Sequence, residues 1–289
     1  MKYSIVYSFF YLYSLLPYRF IYILSDIFYV LIYHGIGYRK KVVRENLKNS
    51  FPEKSEGELR AIEKKYYKHM SDLFLETFKM LSMSEKVAKK RVNYVNAEVL
   101  QDLYDRKKSV VMTSGHFGNW EWAIAGFCTT HAHQLNTIYR PIKNKAFDKL
   151  TYKLRTRYGG IMTTMNDTVR SMINLRNELT VTALAADQAP PSGTAQWINF
   201  LHQDTPVFSG PGKLSKKFDC PVIHLSHTKP KRGYYEITIH VITETPKELD
   251  ELDIIKKFYA LLEKDIQKTP HLWLWSHRRW KHKRKNTSE

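Results

Sequence analysis

Thr113-Ser-Gly-His-Phe-Gly-Asn-Trp-Glu121 is the stretch on which the reading of this 289-residue chain turns. A short apolar run, 109–113, leads into it and an apolar helical run, 119–130, leads out. The segment therefore reads as strand, glycine turn, helix. Ligands gather at such C-terminal strand ends in α/β sheets. Gly115 and Gly118 permit the turn, and Asn119 is a good N-cap. Glu121 then falls in the first helical turn, where the helix dipole favours a carboxylate. His116 and Glu121 are five apart and would sit about 140° apart on one continuous helix, so they meet only if His116 lies in the turn before it. Placed there, Glu121 would fix the tautomer of His116 and leave its far nitrogen free, as a general base requires. The spacing alone proves nothing: with 12 histidines and 28 acids in the chain, about one such pair arises by chance. Its setting in a strand–turn–helix is what raises it above a helix-start histidine beside a surface acid.

The alternation continues outward. Residues 109–113, 135–139, 180–186, 221–226 and 234–241 read as strands. Residues 98–105, 119–130, 145–158, 169–177 and 212–218 read as helices, with a last helix at about 249–268. This is the pattern of an α/β layer structure, a mixed, largely parallel sheet flanked by helices. Upstream, Ser55 caps a helix in which Leu59, Ile62, Tyr66, Met70, Leu73, Thr77 and Leu81 recur at spacings of three and four. Three parts follow: a hydrophobic aromatic segment at 1–38, a helical region at 39–90 and an α/β catalytic domain at 91–289.

The chain is 43% hydrophobic with a mean hydropathy of −0.45, which excludes a polytopic membrane protein and a disordered one. Tyr3 to Tyr38 nevertheless holds 13 of the 39 aromatic residues and only two charges, Arg19 and Asp26. Its longest uncharged run, 3–18, contains Pro17 and is short of a comfortable span. Arg19 and Asp26, seven apart, share a helix face and can pair or meet water together. Abundant Tyr suits a membrane interface. The basic run Tyr38-Arg-Lys-Lys-Val-Val-Arg44 suits anionic headgroups on the cytoplasmic side and argues against a signal peptide. The segment thus reads as membrane-associating, with a buried helix pair as the alternative. The formal net charge of +18 calls for nucleic acid, an anionic membrane surface or an acidic partner protein. Cys128 and Cys220 form no C-x-x-C and read as buried thiols.

Other catalytic templates fail. There is no G-x-S-x-G, and no His is followed directly by Glu, so neither a nucleophile elbow nor an H-E-x-x-H zinc site is present. Ser209-Gly-Pro-Gly-Lys213 lacks phosphate-loop spacing and reads as a turn and helix start. His131 and His133 have no third ligand in view and read as exposed loop histidines. No metal is expected. The basic tail Arg278–Lys285 is the only nucleic-acid signal, and no recognition motif accompanies it.

Gly-His-Phe-Gly-Asn-Trp-Glu121 resembles the H-x4-D/E motif of the glycerolipid acyltransferases, in the version found in the lauroyl/myristoyl transferases of lipid A biosynthesis. The resemblance covers nearly the whole chain. Tyr38-Arg-Lys-Lys-Val-Val-Arg-Glu-Asn-Leu47 with Phe51-Pro52, Tyr139-Arg-Pro141, Arg155, Ala186-Asp-Gln188 and Trp273-Leu-Trp-Ser-His-Arg-Arg-Trp-Lys281 follow in the family's order. Two departures stand out: His202 where the family commonly has Gly, and Gln-Ala-Pro-Pro rather than a second acid after Asp187. The resemblance implies an O-acyltransferase at the cytoplasmic face of the bacterial inner membrane. It would move an acyl chain from acyl carrier protein to a hydroxyl of a membrane lipid, a lipid A precursor above all, with no cofactor and no nucleic acid. A lysophospholipid or amino-acid lipid as acceptor, or a thioester hydrolase, would use the same chemistry. By family roles His116 is the base and Glu121 its partner, with Arg155 and Asp187 at the site. Arg140 is a candidate for an acceptor phosphate or a structural ion pair, and Asn119 also counts among the substrate-binding candidates. Asp187 either holds Arg155 or touches substrate. Backbone N–H groups of the 115–119 turn, or Arg155, are the oxyanion donors in view.

Overall fold

The computed structural model describes residues 3–190 and 195–284. Met1, Lys2, Pro191 and Lys285, which enter the readings above, lie outside the described residues. Helices α1 (Tyr3–Leu15) and α2 (Tyr18–Tyr29) open the fold, and a π-helical turn, Val30–Gly35, extends α2. Pro17 stands at the break between them, where the chain bends by 116°, because a proline disfavours helix in the residue before it. Next come α3 (Lys40–Ser50), α4 (Glu56–Lys79) and α5 (Glu85–Arg91). The expected cap of α4 is a capping box: Ser55 Oγ accepts from the Glu58 N–H, and the Glu58 carboxylate takes the Ser55 N–H at 2.8 Å.

The layered part runs β1 (Val92–Tyr94), α6 (Glu98–Asp105), β2 (Val110–Ser114), α7 (Trp120–Thr130), β3 (Gln134–Tyr139), α8 (Lys145–Thr156) and β4 (Ile161–Thr164). It continues with α9 (Thr168–Asn174), β5 (Thr180–Ala185), β6 (Gln196–Phe200), β7 (Gln203–Val207), α10 (Gly210–Phe218), β8 (Val222–Lys231), β9 (Tyr234–Thr243) and α11 (Glu251–Lys268). Seven strands form one sheet in the order β1-β9-β8-β2-β5-β3-β4, and β6 and β7 form a separate hairpin. Every pairing in the large sheet is parallel except β8 with β9. The mixed, largely parallel sheet read from sequence is therefore present. Four strands were not anticipated: β1, β4, β6 and β7, each of five residues or fewer.

Side chains alternate across the central strand β2. Val110 and Met112 join Trp122, Phe127, Leu150 and Leu225 on one face, while Val111 joins Val222, Ile255, Phe258 and Leu262 on the other. Cys220 is buried and Cys128 half-buried, and both are free thiols.

The N-terminal helices are buried on one side only. One side packs on the body, α1 on α4 and α8 and α2 on α4, burying Val6 and Ile21. The other side leaves Ile5, Phe9, Leu12, Phe20 and Ile27 exposed. Arg19 and Asp26 are both exposed, and they do not pair with each other. Asp26 instead pairs with Arg232 at 2.8 and 3.0 Å, because the seat of α2 against the β8–β9 hairpin brings that guanidinium nearer. Among the described residues no single helix is long and apolar enough to cross a membrane.

Candidate active site

Register places the two principal residues side by side. Ser114 of β2 lies opposite Ala185 of β5, so the second residues beyond the two strands, His116 and Asp187, leave the sheet as neighbours. The Asp187 carboxylate takes the His116 Nδ1 proton at 2.7 Å and the His116 backbone N–H at 2.7 Å. Trp273 donates its indole N–H to the same carboxylate at 2.9 Å. Burial alone would raise the pKa of Asp187, but the His116 charge and these hydrogen bonds outweigh it and hold the carboxyl at about 2. An Asp187 ionised at neutral pH keeps the His116 proton on Nδ1 and leaves Nε2 as the acceptor. Among the described residues, the hydrogen-bond neighbour of Nε2 is the Gln188 amide at 3.3 Å. Trp120 packs edge-on against the ring, with centroids 5.1 Å apart.

This corrects the pairing expected for His116. Glu121 does not hold the imidazole; it forms a two-pronged pair with Arg155, Nε to Oε2 at 2.8 Å and Nη2 to Oε1 at 2.6 Å. The indole N–H of Trp120 adds a third bond at 3.1 Å. Burial works to raise the Glu121 pKa, and Arg155 overcomes it and lowers it. Sequence proximity favoured Glu121, whereas the parallel register of β2 and β5 delivers an acid from 71 residues away. Asp187 accordingly neither holds Arg155 nor reserves itself for substrate.

Asn119 caps α7 as expected, accepting the Trp122 N–H at 2.9 Å, but it does not line the cavity beside His116. It is buried, and its amide donates to Glu76 at 2.7 Å. Glu76 is a residue that the sequence reading passed over. Its buried carboxylate also takes the hydroxyls of Tyr22 and Tyr235, at 2.9 and 2.7 Å. The signal was present, since Glu76 falls three residues after Leu73 on the apolar side of α4. Two N–H groups of the 115–119 turn are also committed, His116 to Asp187 and Gly118 to the Leu272 carbonyl at 3.0 Å. Arg155 Nη1, by contrast, has no hydrogen-bond partner among the described residues.

A cavity of about 350 Å³ opens beside these groups. Its half-buried or exposed end carries His116, Arg155, Gln188 and Arg140, and its buried end is lined by Met112, Phe127, Leu135 and Leu225. Arg140 stands exposed at this cavity with no carboxylate in ion-pair range among the described residues. His227 also lines the cavity; it is buried, with Nδ1 unpartnered among the described residues. Burial lowers its pKa to about 4, so the ring is neutral. Gly118 has φ +64°, and a Cβ there would stand 2.7 Å from His227 Cβ, so the turn accepts only glycine at this point.

Two departures from the family pattern fall in different places. His202 lies at the tip of the β6–β7 hairpin and does not line the cavity, whereas Gln188, Ala189 and Pro190 do. The hairpin needs positive φ at both loop residues, 49° at Leu201 and 62° at His202, which is the position a glycine fills most easily. His131 and His133 are not exposed. His131 packs edge-on against Tyr94 at 4.6 Å, and His133 bonds the Lys108 carbonyl at 2.9 Å.

Comparison with known proteins places the whole chain in one family. The family described as bacterial lipid A biosynthesis acyltransferase matches residues 1–282. A lipid A biosynthesis acyltransferase of Haemophilus influenzae is 27% identical over 262 residues, covering 86% of this chain and 82% of that protein. A lipid A biosynthesis lauroyltransferase of Escherichia coli is 25% identical over 270 residues, covering 92% and 87%.

Proposed function

Because the chain belongs to the bacterial lipid A biosynthesis acyltransferase family, we propose that it moves a fatty acyl chain from an acyl carrier protein thioester to a hydroxyl of a lipid A precursor, with His116 as general base. The observation that carries this reading is the His116–Asp187 pair, which leaves the imidazole Nε2 free of any carboxylate at a cavity lined by Arg140 and Arg155 and by buried apolar side chains. The buried apolar lining suits an acyl chain, and the two arginines suit a phosphorylated acceptor.

The chemistry needs no acyl-enzyme, since a thioester carbonyl is already activated. His116 Nε2 takes the acceptor hydroxyl proton as the oxygen attacks. Asp187 stabilises the imidazolium that results. The C–S bond then breaks, and the proton passes from Nε2 to the departing thiolate. The tetrahedral oxyanion is served by Arg155, which Glu121 holds in place by two prongs while Nη1 remains available. Glu121 is thus a positioning residue in this scheme.

The exposed apolar side of α1 and α2 is the surface that would rest on the cytoplasmic face of the inner membrane. Removing 1–38 would be a poor test, because it would also strip Ser25 from Asp72 and Tyr22 from Glu76. Phe9→Glu with Leu12→Glu is the cleaner variant, and it should shift the protein from vesicle-bound to free by about tenfold.

The decisive experiment incubates purified protein with acyl carrier protein thioester and a lipid A precursor, followed by mass spectrometry of the lipid. Gain of one acyl mass is expected. Thioester loss that proceeds equally without acceptor would identify a hydrolase instead, and transfer to lysophospholipid alone would displace the acceptor. Equal rates from coenzyme A thioesters would remove the carrier protein from the scheme.

A further inference from the structure

We infer that the cleft between α4 and the β8–β9 hairpin is a binding site for the phosphate of an anionic lipid headgroup, separate from the His116 cavity. This inference rests on the membrane-lipid reading above. The cleft is an open pocket of about 210 Å³ that shares no lining residue with the catalytic cavity. Lys65, Lys68, Lys229, Lys231 and Arg232 line it, and Asp72 is its one carboxylate.

That carboxylate is already satisfied. Ser25 donates to Asp72 at 2.7 Å, Lys229 at 2.9 Å and Arg232 at 2.7 and 2.9 Å. Asp26 is held by Arg232 as well. Lys65, Lys68 and Lys231 are left with no carboxylate in ion-pair range among the described residues. Five cations against Asp72, Asp26 and the buried Glu76, which also feels Lys229, still leave a positive surplus in one concavity. The neighbouring imidazoles register that surplus. Burial first, and then Lys229, lowers the pKa of His69 to about 3. Burial first, and then Lys65 and Lys229, lowers that of His271 to about 4. A phosphate is the anion that such a cluster of ammonium groups complements, since its oxygens accept several charge-assisted hydrogen bonds at once.

Position decides the source of that phosphate. The Arg232 guanidinium lies over the Tyr22 ring at 4.6 Å and the Lys68 ammonium over the Tyr29 ring at 5.7 Å. Both rings belong to α2, whose outer side leaves Phe20, Ile23, Leu24 and Ile27 exposed. The pocket therefore borders the apolar surface, where a headgroup phosphate would stand if acyl chains met α2. It is also wired to the reaction centre. His69 Nε2 meets the Gly118 carbonyl at 3.1 Å, and its Nδ1 lies 3.4 Å from Lys229 Nζ. An anion drawing on Lys229 thus acts, through His69, on the turn that carries His116.

Flotation with vesicles tests the site without using acyl transfer, so failure of the enzymatic reading and failure of this one are distinguishable. Wild type should partition more strongly onto phosphatidylcholine vesicles doped with phosphatidic acid than onto phosphatidylcholine alone. Lys65→Ser/Lys68→Ser/Lys231→Ser should weaken that partition by about tenfold or more. The equal charge loss Lys213→Ser/Lys217→Ser/Lys257→Ser, on exposed positions of α10 and α11, should leave it within about twofold. Equal losses from the two triples would overturn the site in favour of diffuse attraction. A rise in melting temperature with inorganic phosphate, in wild type and not in the pocket triple, with no preference for phosphatidic acid vesicles, would overturn the headgroup assignment in favour of free phosphate. Should the pocket triple fail to fold by circular dichroism, Lys231→Glu alone must still weaken partition by about threefold, or the inference falls.

Discussion

Two acid–base pairs flank one cavity mouth, and they are built from opposite chemistry. His116 with Asp187 joins the ends of adjacent strands, β2 and β5; Arg155 with Glu121 joins two helices, α8 and α7. Both carboxylates are buried, and both partners bond them at 2.6–2.8 Å. The difference is that an imidazole can take up and give back a proton at its nitrogen, whereas a guanidinium keeps its protons. One pair can therefore move a proton, and the other can only hold a fixed charge in place.

The comparison breaks first at His116. His116→Ala should lower transfer by about 10⁴-fold with the thermal melt intact; activity near wild type would remove the histidine from the mechanism. Asp187→Asn should lower kcat by about 10³-fold, because the asparagine no longer fixes the Nδ1–H tautomer. If Glu121→Gln proved the more damaging of the two carboxylate changes, the roles assigned to the pairs would be reversed. As assigned, Glu121→Gln and Arg155→Lys should each cost about 10²-fold in kcat. Glu121→Gln should in addition lower stability by about 3 kcal/mol, read from urea unfolding, since it strands a largely buried guanidinium.

Acid sharpens the contrast. Asp187 is held at about 2 against an ordinary 3.8, so its stabilisation is present above pH ~4 and is lost as pH falls from there toward ~2. His69 and His227, held at about 3 and about 4 against 6.5, are neutral when folded. Their contribution is full above pH ~6.5 and declines as pH falls below it. The urea midpoint should accordingly be flat above pH ~7 and fall steadily below ~6.5, before Asp187 titrates. A flat midpoint down to pH ~4.5 would contradict the buried neutral histidines. The smallest effect lies outside both pairs: His202→Gly relieves a positive φ of 62° and should stabilise by up to about 1 kcal/mol without changing rate.

The legibility of the fold followed element length. β-rich runs such as 180–186 and periodic helices such as 98–105 stand out because side-chain period accumulates over several residues. Val92–Tyr94 and Ile161–Thr164 are too short to show a period, and sheet partners rather than propensity make them strands. The candidate residues were legible in the chain and their pairings were not. His116, Glu121, Arg155 and Asp187 can all be named from the chain, yet which acid meets which base depends on strand register, which has no local signature. Asn119 shows the converse, since its cap is local and readable while its bond to Glu76, 43 residues away, is not.

The C-terminal segment adds a matter of timing. Leu272 and Leu274 bond the backbone of the catalytic turn at Gly118 and His116, and Trp273 donates to Asp187. These residues are synthesised after every strand of the sheet. A nascent chain can thus fold its layers and seat its first helices while its reaction centre is still unassembled. In the proposed mechanism, transfer would wait until residues 272–274 close over the 115–119 turn.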